Sequence, residues 1–296
     1  MPPIAVLGPG GVGGFLAAAM TRAGGEIVVV AHEDTAAALA RDGLRVRSAL
    51  LGDFAARPAA VAQLRQDVDA LLVCTKATGL RTALQRIGAE PPLVVPLLNG
   101  VEHLAVLRER FGSERVAAGT IRLESDRPRD GEIVQTSPGC RVDLAGAQPG
   151  LFALAGALRR AGLAVGTGGR EVDVMWSKLV RLCPLALTTS AADRPLGAIR
   201  EDPRWRSALH GAVAEAATVA RAQGADVAAE RTLAELEAAH PQLGSSMRRD
   251  LAAGRDPELD AVAGAVRRAG ARHGIRCPTI EWLAGRVAER VATAVA

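Results

Sequence analysis

A chain of 296 residues, 49% hydrophobic and 23% charged, has ample material for a buried core in one large or two moderate domains. Net charge is +4, but the arginines are dispersed among acids and tyrosine is absent, so the basic excess does not read as a nucleic-acid surface. No apolar run approaches about 18 residues, the length that marks a membrane span, and the N-terminal "MPPIAVLGPG" has no basic leader. Four dispersed cysteines and five dispersed histidines form no metal-ligand spacing, so free thiols in a reducing cytoplasm are the expectation. All but two of the 36 basic side chains are arginine, the exceptions being Lys76 and Lys178, and Asn99 is the only asparagine. Against so biased a composition these rare residues are the ones to question.

In chain order, "PIAVL" (3–7) predicts a short buried strand, followed by "GPGGVGGFLAAAMTRAGG". Gly8, Gly10 and Gly13 give the G-x-G-x-x-G spacing between a strand and an alanine-rich helix, with Gly11 and Val12 inside the turn. The first glycine permits the tight turn, the second lets backbone approach a pyrophosphate, and the third lets helix and strand pack closely. The helix N-terminus then offers unpaired N–H groups to phosphate. Glycines that serve only turning and packing are the plainer alternative. A second strand, "EIVVVA" (26–31), leads to helical "DTAAALARDG"; "DALLVCTK" (69–76) is a third strand ending in Lys76. A helix over about 78–88 precedes the strand "PLVVPL" (92–97), which ends at "LNG". Lys76 and Asn99 thus fall at the carboxyl ends of strands, where open parallel sheets take their ligands. As Asn-Gly, Asn99 also reads as a turn residue. Strands and hairpins over 119–146, a helix over 149–161 and glycines 166, 168 and 169, read as a hinge, close this half.

From about residue 170 the periodicity is helical. Steps of four put Lys178, Leu182 and Ala186 on one stripe, and Pro184 should weaken that helix near Leu179–Val180. A lysine on an apolar face past a hinge is placed for a cleft between domains, with ordinary snorkelling as the alternative. In "GRDPELDAV", Asp256 reads as an N-cap, Pro257 as the first helical residue and Glu258 as a first-turn charge. Ser246 in "GSSMRRD" reads locally as a loop hydroxyl.

In order and spacing, "IAVLGPGGVGG", "VCTKATG", "LLNGVEHL", "DGEIVQTSPG", "WSKLV", "SSMRRD" and "ELDAVAGAVRRAGARHGIRCP" resemble the ketopantoate reductase (2-dehydropantoate 2-reductase) family over nearly the whole chain. The resemblance implies an α/β fold, with an N-terminal Rossmann dinucleotide-binding domain over 1–168, an all-helical domain over 169–296 and an active site between them. It implies reduction of a 2-oxo acid to a 2-hydroxy acid with NADPH, the reaction of pantothenate biosynthesis, and leaves a homodimer open. Residue by residue, Gly8, Gly10, Gly11, Val12 and Gly13 match the dinucleotide fingerprint and Lys76 a lysine at the cofactor end. Asn99 matches an asparagine holding cofactor and substrate. Lys178 matches the general acid, Glu258 a carboxylate that orients the site on its catalytic and cofactor sides, and Ser246 a substrate-contacting serine.

Two departures bear on specificity. Leu182 and Ala186 stand where the family has substrate-contacting asparagines, which points to a less polar 2-oxo acid, another carbonyl or an imine as the alternative substrate. His32, followed by Glu33 and Asp34, stands where NADPH-using relatives commonly carry an arginine. Acids there favour a ribose hydroxyl, so NADH is the alternative cofactor unless a nearby arginine compensates. A nucleotide-binding redox sensor is the non-enzymatic alternative.

Overall fold

The computed structural model describes residues 3–295. β1 (Ile4–Leu7) runs through the glycine turn into α1 (Gly11–Arg22), and β2 (Ile27–Val30) into α2 (Glu33–Asp42). Then come β3 (Leu44–Ser48), β4 (Phe54–Ala56), β5 (Ala59–Val61) and β6 (Ala70–Val73). A 3-10 turn (Ala77–Gly79) and α3 (Leu80–Leu84) precede β7 (Val94–Pro96) and α4 (His103–Phe111). β8 (Ala118–Arg122), β9 (Ser125–Arg129), β10 (Glu132–Gln135), β11 (Arg141–Ala145), α5 (Leu151–Arg160) and β12 (Ala164–Thr167) follow.

β5-β2-β1-β6-β7 form one wholly parallel sheet. Its strands are aliphatic on both faces because both faces are covered. Val6, Val29, Leu72 and Val95 pack with α1 and α5, while Ala5, Val28, Leu71 and Val94 pack with α3 and α4. Each buried leucine or valine contributes about 1.5–3 kcal/mol, so the alternation commits helices to both sides. Strand order reverses at β1, between β2 and β6, and the loops after β1 and β6 open at that switch point. Two smaller sheets, β4-β3-β10-β9 and β12-β11-β8, complete the unit.

The helix expected over 78–88 is shorter than its pattern. Leu64 donates to the Arg86 carbonyl and accepts from Gly88, and these bonds pull Arg86–Gly88 out of helical register. β3 to β5 were not expected at all, although "LRVRS" alternates buried and exposed residues as a strand does.

The chain divides into two compact units, the first of Met1–Leu98 and His103–Val174, the second of Asn99–Glu102 and Met175–Ala296. The regular structure of the second is helical among the described residues: α6 (Glu171–Ala192, beginning in the first unit's chain), α7 (Leu196–Glu201), α8 (Pro203–Ala222), α9 (Ala229–Ala238), α10 (Ser246–Ala252), a π turn (Asp260–Gly264), α11 (Ala265–Arg272) and α12 (Pro278–Val295). Asp202 caps α8 by accepting from the Arg204 and Trp205 N–H groups, with Pro203 at the first helical position. Leu185, Leu196, Ile199, Leu209, Val213 and Leu236 form a core that α6 to α9 share. α6 is continuous through Pro184, contrary to the weakening expected near Leu179–Val180. Burial of Leu179, Val180, Cys183 and Leu185 holds the helix across the missing N–H donor.

All four cysteines are free. Burial pushes Cys74 and Cys140 up to about 12 and Cys277 up to about 11, and raises Cys183 as well. Since the thiolate is the reactive form, Ellman's reagent at pH 8 should find almost no fast thiol in the native protein and four equivalents after denaturation. One rapidly titrating cysteine in the native chain would contradict this packing.

Candidate active site

The glycine turn is built from four different steric demands. Gly8 has φ +91, and a Cβ there would meet the Thr75 side chain at 3.0 Å and the Cys74 carbonyl at 3.2 Å. A Cβ at Gly13 would stand 2.1 Å from the Gly8 oxygen and 2.9 Å from the Cys74 side chain. A Cβ at Gly11 would strike the Ser125 carbonyl at 2.4 Å, and the Ser125 hydroxyl donates to the Gly11 oxygen at 2.8 Å. Gly10 differs from all three, because a Cβ there would meet nothing within 4 Å. The glycine that faces open space is the one whose expected role is to let a phosphate approach.

Two further features of this turn fit a dinucleotide. The N-cap of α1 is Gly10, which has no side chain to cap it, so among the described residues the first-turn N–H groups of Gly11, Val12 and Gly13 have no capping side chain. The Thr75 hydroxyl, in the loop after β6, is buried without a hydrogen-bond partner among the described residues. Lys76 follows it, partly buried at the start of the 3-10 turn. His32 is the N-cap of α2, just beyond β2, and its Nδ1 lies 2.8 Å from Nη2 of Arg86. Arg86 also donates to both carboxylate oxygens of Glu33, at 3.0 and 3.1 Å. This pairing holds the Glu33 carboxyl below its ordinary range. The sequence leaves open that a nearby arginine compensates for the acids here; the arginine beside His32 and Glu33 comes from a turn more than fifty positions away.

In the second unit, Asn99 Nδ2 donates to Glu258 Oε2 at 3.1 Å. A carboxylate only accepts, so this bond orients the Asn99 amide. Glu258 is buried, at 8% exposure, and has φ +57. It is therefore not the first-turn residue its local sequence suggests: it stands ahead of the helical segment in a left-handed conformation, its N–H donating to Asp256 Oδ1 at 2.8 Å. A non-glycine residue held in that conformation stores of order 1–3 kcal/mol and persists only where the surrounding structure over-determines it. The Asn99 segment is locked to this turn from its other end. Gly100 (φ +86) lies so close to Ala261 that a Cβ would be 2.3 Å from its oxygen. Arg268 forks onto Glu102 at 2.9 and 2.7 Å and onto Asp260 at 2.6 and 3.0 Å.

Lys178 is half-buried on α6, with Leu182 half-buried and Ala186 buried further along the helix. The polar groups beyond them turn inward on the protein. Thr188 donates to the Pro184 carbonyl, and Thr189 donates to the Leu185 carbonyl and contacts the Ser245 hydroxyl at 3.0 Å. Ser245, which sequence reading passed over, is the buried N-cap of α10, whereas Ser246 is exposed as its first residue. The residues expected to act thus sort by unit. Gly8, Gly10, Gly11, Val12, Gly13, His32 and Lys76 belong to the first, and Asn99, Lys178, Leu182, Ala186, Ser246 and Glu258 to the second. The structure brings Asn99 and Glu258 into direct contact.

Residues 4–143 match the family described as Ketopantoate reductase PanE/ApbA, and residues 172–290 its C-terminal counterpart. The 2-dehydropantoate 2-reductase of Caulobacter vibrioides is 31% identical over 284 residues, 94% of this chain and 95% of the relative. A crystal structure of 2-dehydropantoate 2-reductase from Geobacter metallireducens GS-15 superposes with a TM-score of 0.88 at 26% identity, covering 97% of this chain and 99% of that one. A ternary structure of D-mandelate dehydrogenase with NADH and anilino(oxo)acetate superposes at 0.90 with 20% identity, covering 99% and 100% of the two chains, and shares the fold.

The glycine geometry separates two substitutions that look alike in sequence. Gly10→Ala should leave the melting temperature within about 2 °C, because an open surface site is worth at most about 0.5 kcal/mol, while weakening dinucleotide binding at least about tenfold. Gly13→Ala should lower the melting temperature by several degrees or prevent soluble expression, the overpacking cost being about 1–3 kcal/mol. Thermal shift and calorimetric titration on both variants check this, and equal effects at the two positions would refute it.

Proposed function

The chain belongs to the ketopantoate reductase family and is an oxidoreductase, and on that premise we propose that it reduces a ketopantoate-type 2-oxo acid to its 2-hydroxy acid with NADPH, Lys178 serving as general acid. The observation that carries this reading is the Asn99–Glu258 hydrogen bond on a strained backbone, in the same unit and chain register as Lys178. The residues of the glycine turn fit the dinucleotide, with the N–H groups of Gly11, Val12 and Gly13 and the open side of Gly10 for its phosphates. The bound nicotinamide supplies hydride.

What the protein contributes is charge placement and a proton. As hydride arrives, negative charge grows on the substrate's carbonyl oxygen. An ammonium at Lys178 stabilises that charge and transfers a proton to it, a role worth about 10²–10⁴ in rate. Arginine supplies the charge but holds its proton too tightly to give it up. Glu258 keeps Asn99 oriented, and Asn99 holds substrate and cofactor through its remaining amide valences. Ser246 contacts the substrate.

One observation favours a second substrate. Leu182 and Ala186 offer no hydrogen bond, and a buried substrate hydroxyl against them would forfeit about 1–3 kcal/mol. A 2-oxo acid with an apolar side chain loses nothing there, and the same wall suits another carbonyl or an imine.

Oxidation of NADPH and of NADH should be followed with ketopantoate beside 2-oxo acids bearing apolar side chains. Turnover on at least one is expected, with kcat/KM higher for an apolar analogue if the Leu182–Ala186 wall decides. Binding of dinucleotide without turnover on any carbonyl would instead indicate a nucleotide sensor. Lys178→Arg should bind NADPH with unchanged affinity and lose at least about a hundredfold in kcat; near-normal turnover in that variant would exclude Lys178 as the acid.

A further inference from the structure

Arg86 holds a fixed guanidinium beside the start of α2. Its side chain is only 17% exposed, and its guanidinium is held by two groups apart from Glu33, the Ala62 carbonyl at 3.1 Å and His32 Nδ1 at 2.8 Å. A guanidinium has donors and no acceptor, so His32 Nδ1 accepts and the ring proton sits on Nε2. The fork therefore keeps its orientation when Glu33 moves away. Glu33, by contrast, is 67% exposed in its side chain, and Arg86 is the one side chain shown donating to its carboxylate among the described residues. An exposed ion pair of this kind opens at little cost.

The location matters because His32 and Glu33 follow β2 directly, on the side of the switch point where a dinucleotide's adenosine ribose meets a parallel sheet of this order. We propose that Arg86 is the residue that senses the adenosine 2′ substituent, and that Glu33 is its built-in competitor. A 2′-phosphate must take the guanidinium from the Glu33 carboxylate, whereas a 2′-hydroxyl need not. Because Glu33 already occupies the Arg86 fork, with Asp34 adding a second negative charge in the same helical turn, the native protein discriminates only narrowly between the phosphorylated and unphosphorylated cofactors. The inference rests on the dinucleotide reading above and adds to it the device that sets cofactor choice.

Calorimetric titration of NADP⁺ and NAD⁺ tests it on the whole chain, with no turnover required. Wild-type affinities for the two should lie within about tenfold of each other. Glu33→Gln should tighten NADP⁺ by about tenfold and leave NAD⁺ within about twofold, since it frees one charge-assisted fork. Arg86→Gln should weaken NADP⁺ by about tenfold with little change for NAD⁺. Because Arg86 also ties its turn to Ala62, that variant's melting temperature is measured alongside; Glu33 is exposed, so its variant keeps the test independent of folding. An unchanged NADP⁺/NAD⁺ ratio in Glu33→Gln overturns the proposal while leaving dinucleotide binding intact. Failure of the wild type to bind either dinucleotide overturns the dinucleotide reading, and this proposal with it.

Discussion

The packing of α1 onto β1 leaves no room for a side chain at position 13, where an added carbon would sit 2.1 Å from the Gly8 oxygen. That approach is held by the burial of Phe15, Leu16 and Met20 on the same helix. It fixes where the first amides of α1 point, over the switch point of the parallel sheet. Gly11 and Gly14 extend the constraint outward, because added carbons there would strike Ser125 and Ile133. Sheet, helix and the β9–β10 hairpin are thereby locked together around one turn. Gly10 alone is left uncrowded, so the steric pressure on its neighbours is what keeps its open side available.

The second unit solves a similar problem with charge as well as glycine. Four residues, Asn99–Glu102, follow β7 in the chain yet pack with the helical unit. Gly100 allows the backbone of this segment to press against Ala261, and Arg268 ties Glu102 to Asp260. Each exposed ion pair contributes little, about 0–1 kcal/mol, but their joint effect is registry. Held at both ends, the segment presents Asn99 to Glu258 and supports a left-handed Glu258 that would otherwise relax. The π turn beginning at Asp260 belongs to the same accommodation, since π turns insert where backbone must be re-aimed.

The sequence was most legible where a local pattern alone decides the structure. β1, α1 and β2 follow from aliphatic runs, a glycine turn and an alanine-rich helix, and the change to helical periodicity near residue 170 is equally plain. It was least legible where a distant partner overrides local preference. Leu64 unwinds the helix expected through residue 88. Asn99, 159 residues away in sequence, bonds to a Glu258 whose own neighbours, Asp256 and Pro257, read as an ordinary helix start. Pro184 should weaken α6 near Leu179–Val180, yet burial of those residues, Cys183 and Leu185 keeps the helix whole. Arg86 carried no local signal, being one of many arginines and lying in a turn read as helix. Only the acidic pair after His32 hinted that a cation had to come from elsewhere.

The abundance of arginine sharpens the meaning of the two lysines. Across the surface, arginines pair with nearby acids in forks such as Arg41–Asp42 and Arg170–Asp173, where a permanent cation of fixed shape suffices. Arg86 and Arg268 use the same fixed shape for registry and, on the proposal above, for recognition. Neither task needs a proton to leave. General acid catalysis does, and a guanidinium performs it poorly because its proton is bound too strongly at neutral pH. A sequence that uses arginine for nearly every positive charge and still carries lysine at 178 is therefore following chemistry, on the proposed reading, where elsewhere it follows electrostatics. The apolar residues next along α6, Leu182 and Ala186, point the same way. On the proposed reading, a wall without hydrogen-bonding groups leaves the substrate's carbonyl and carboxylate as its main polar features and concentrates recognition on the Lys178 ammonium and the Asn99 amide.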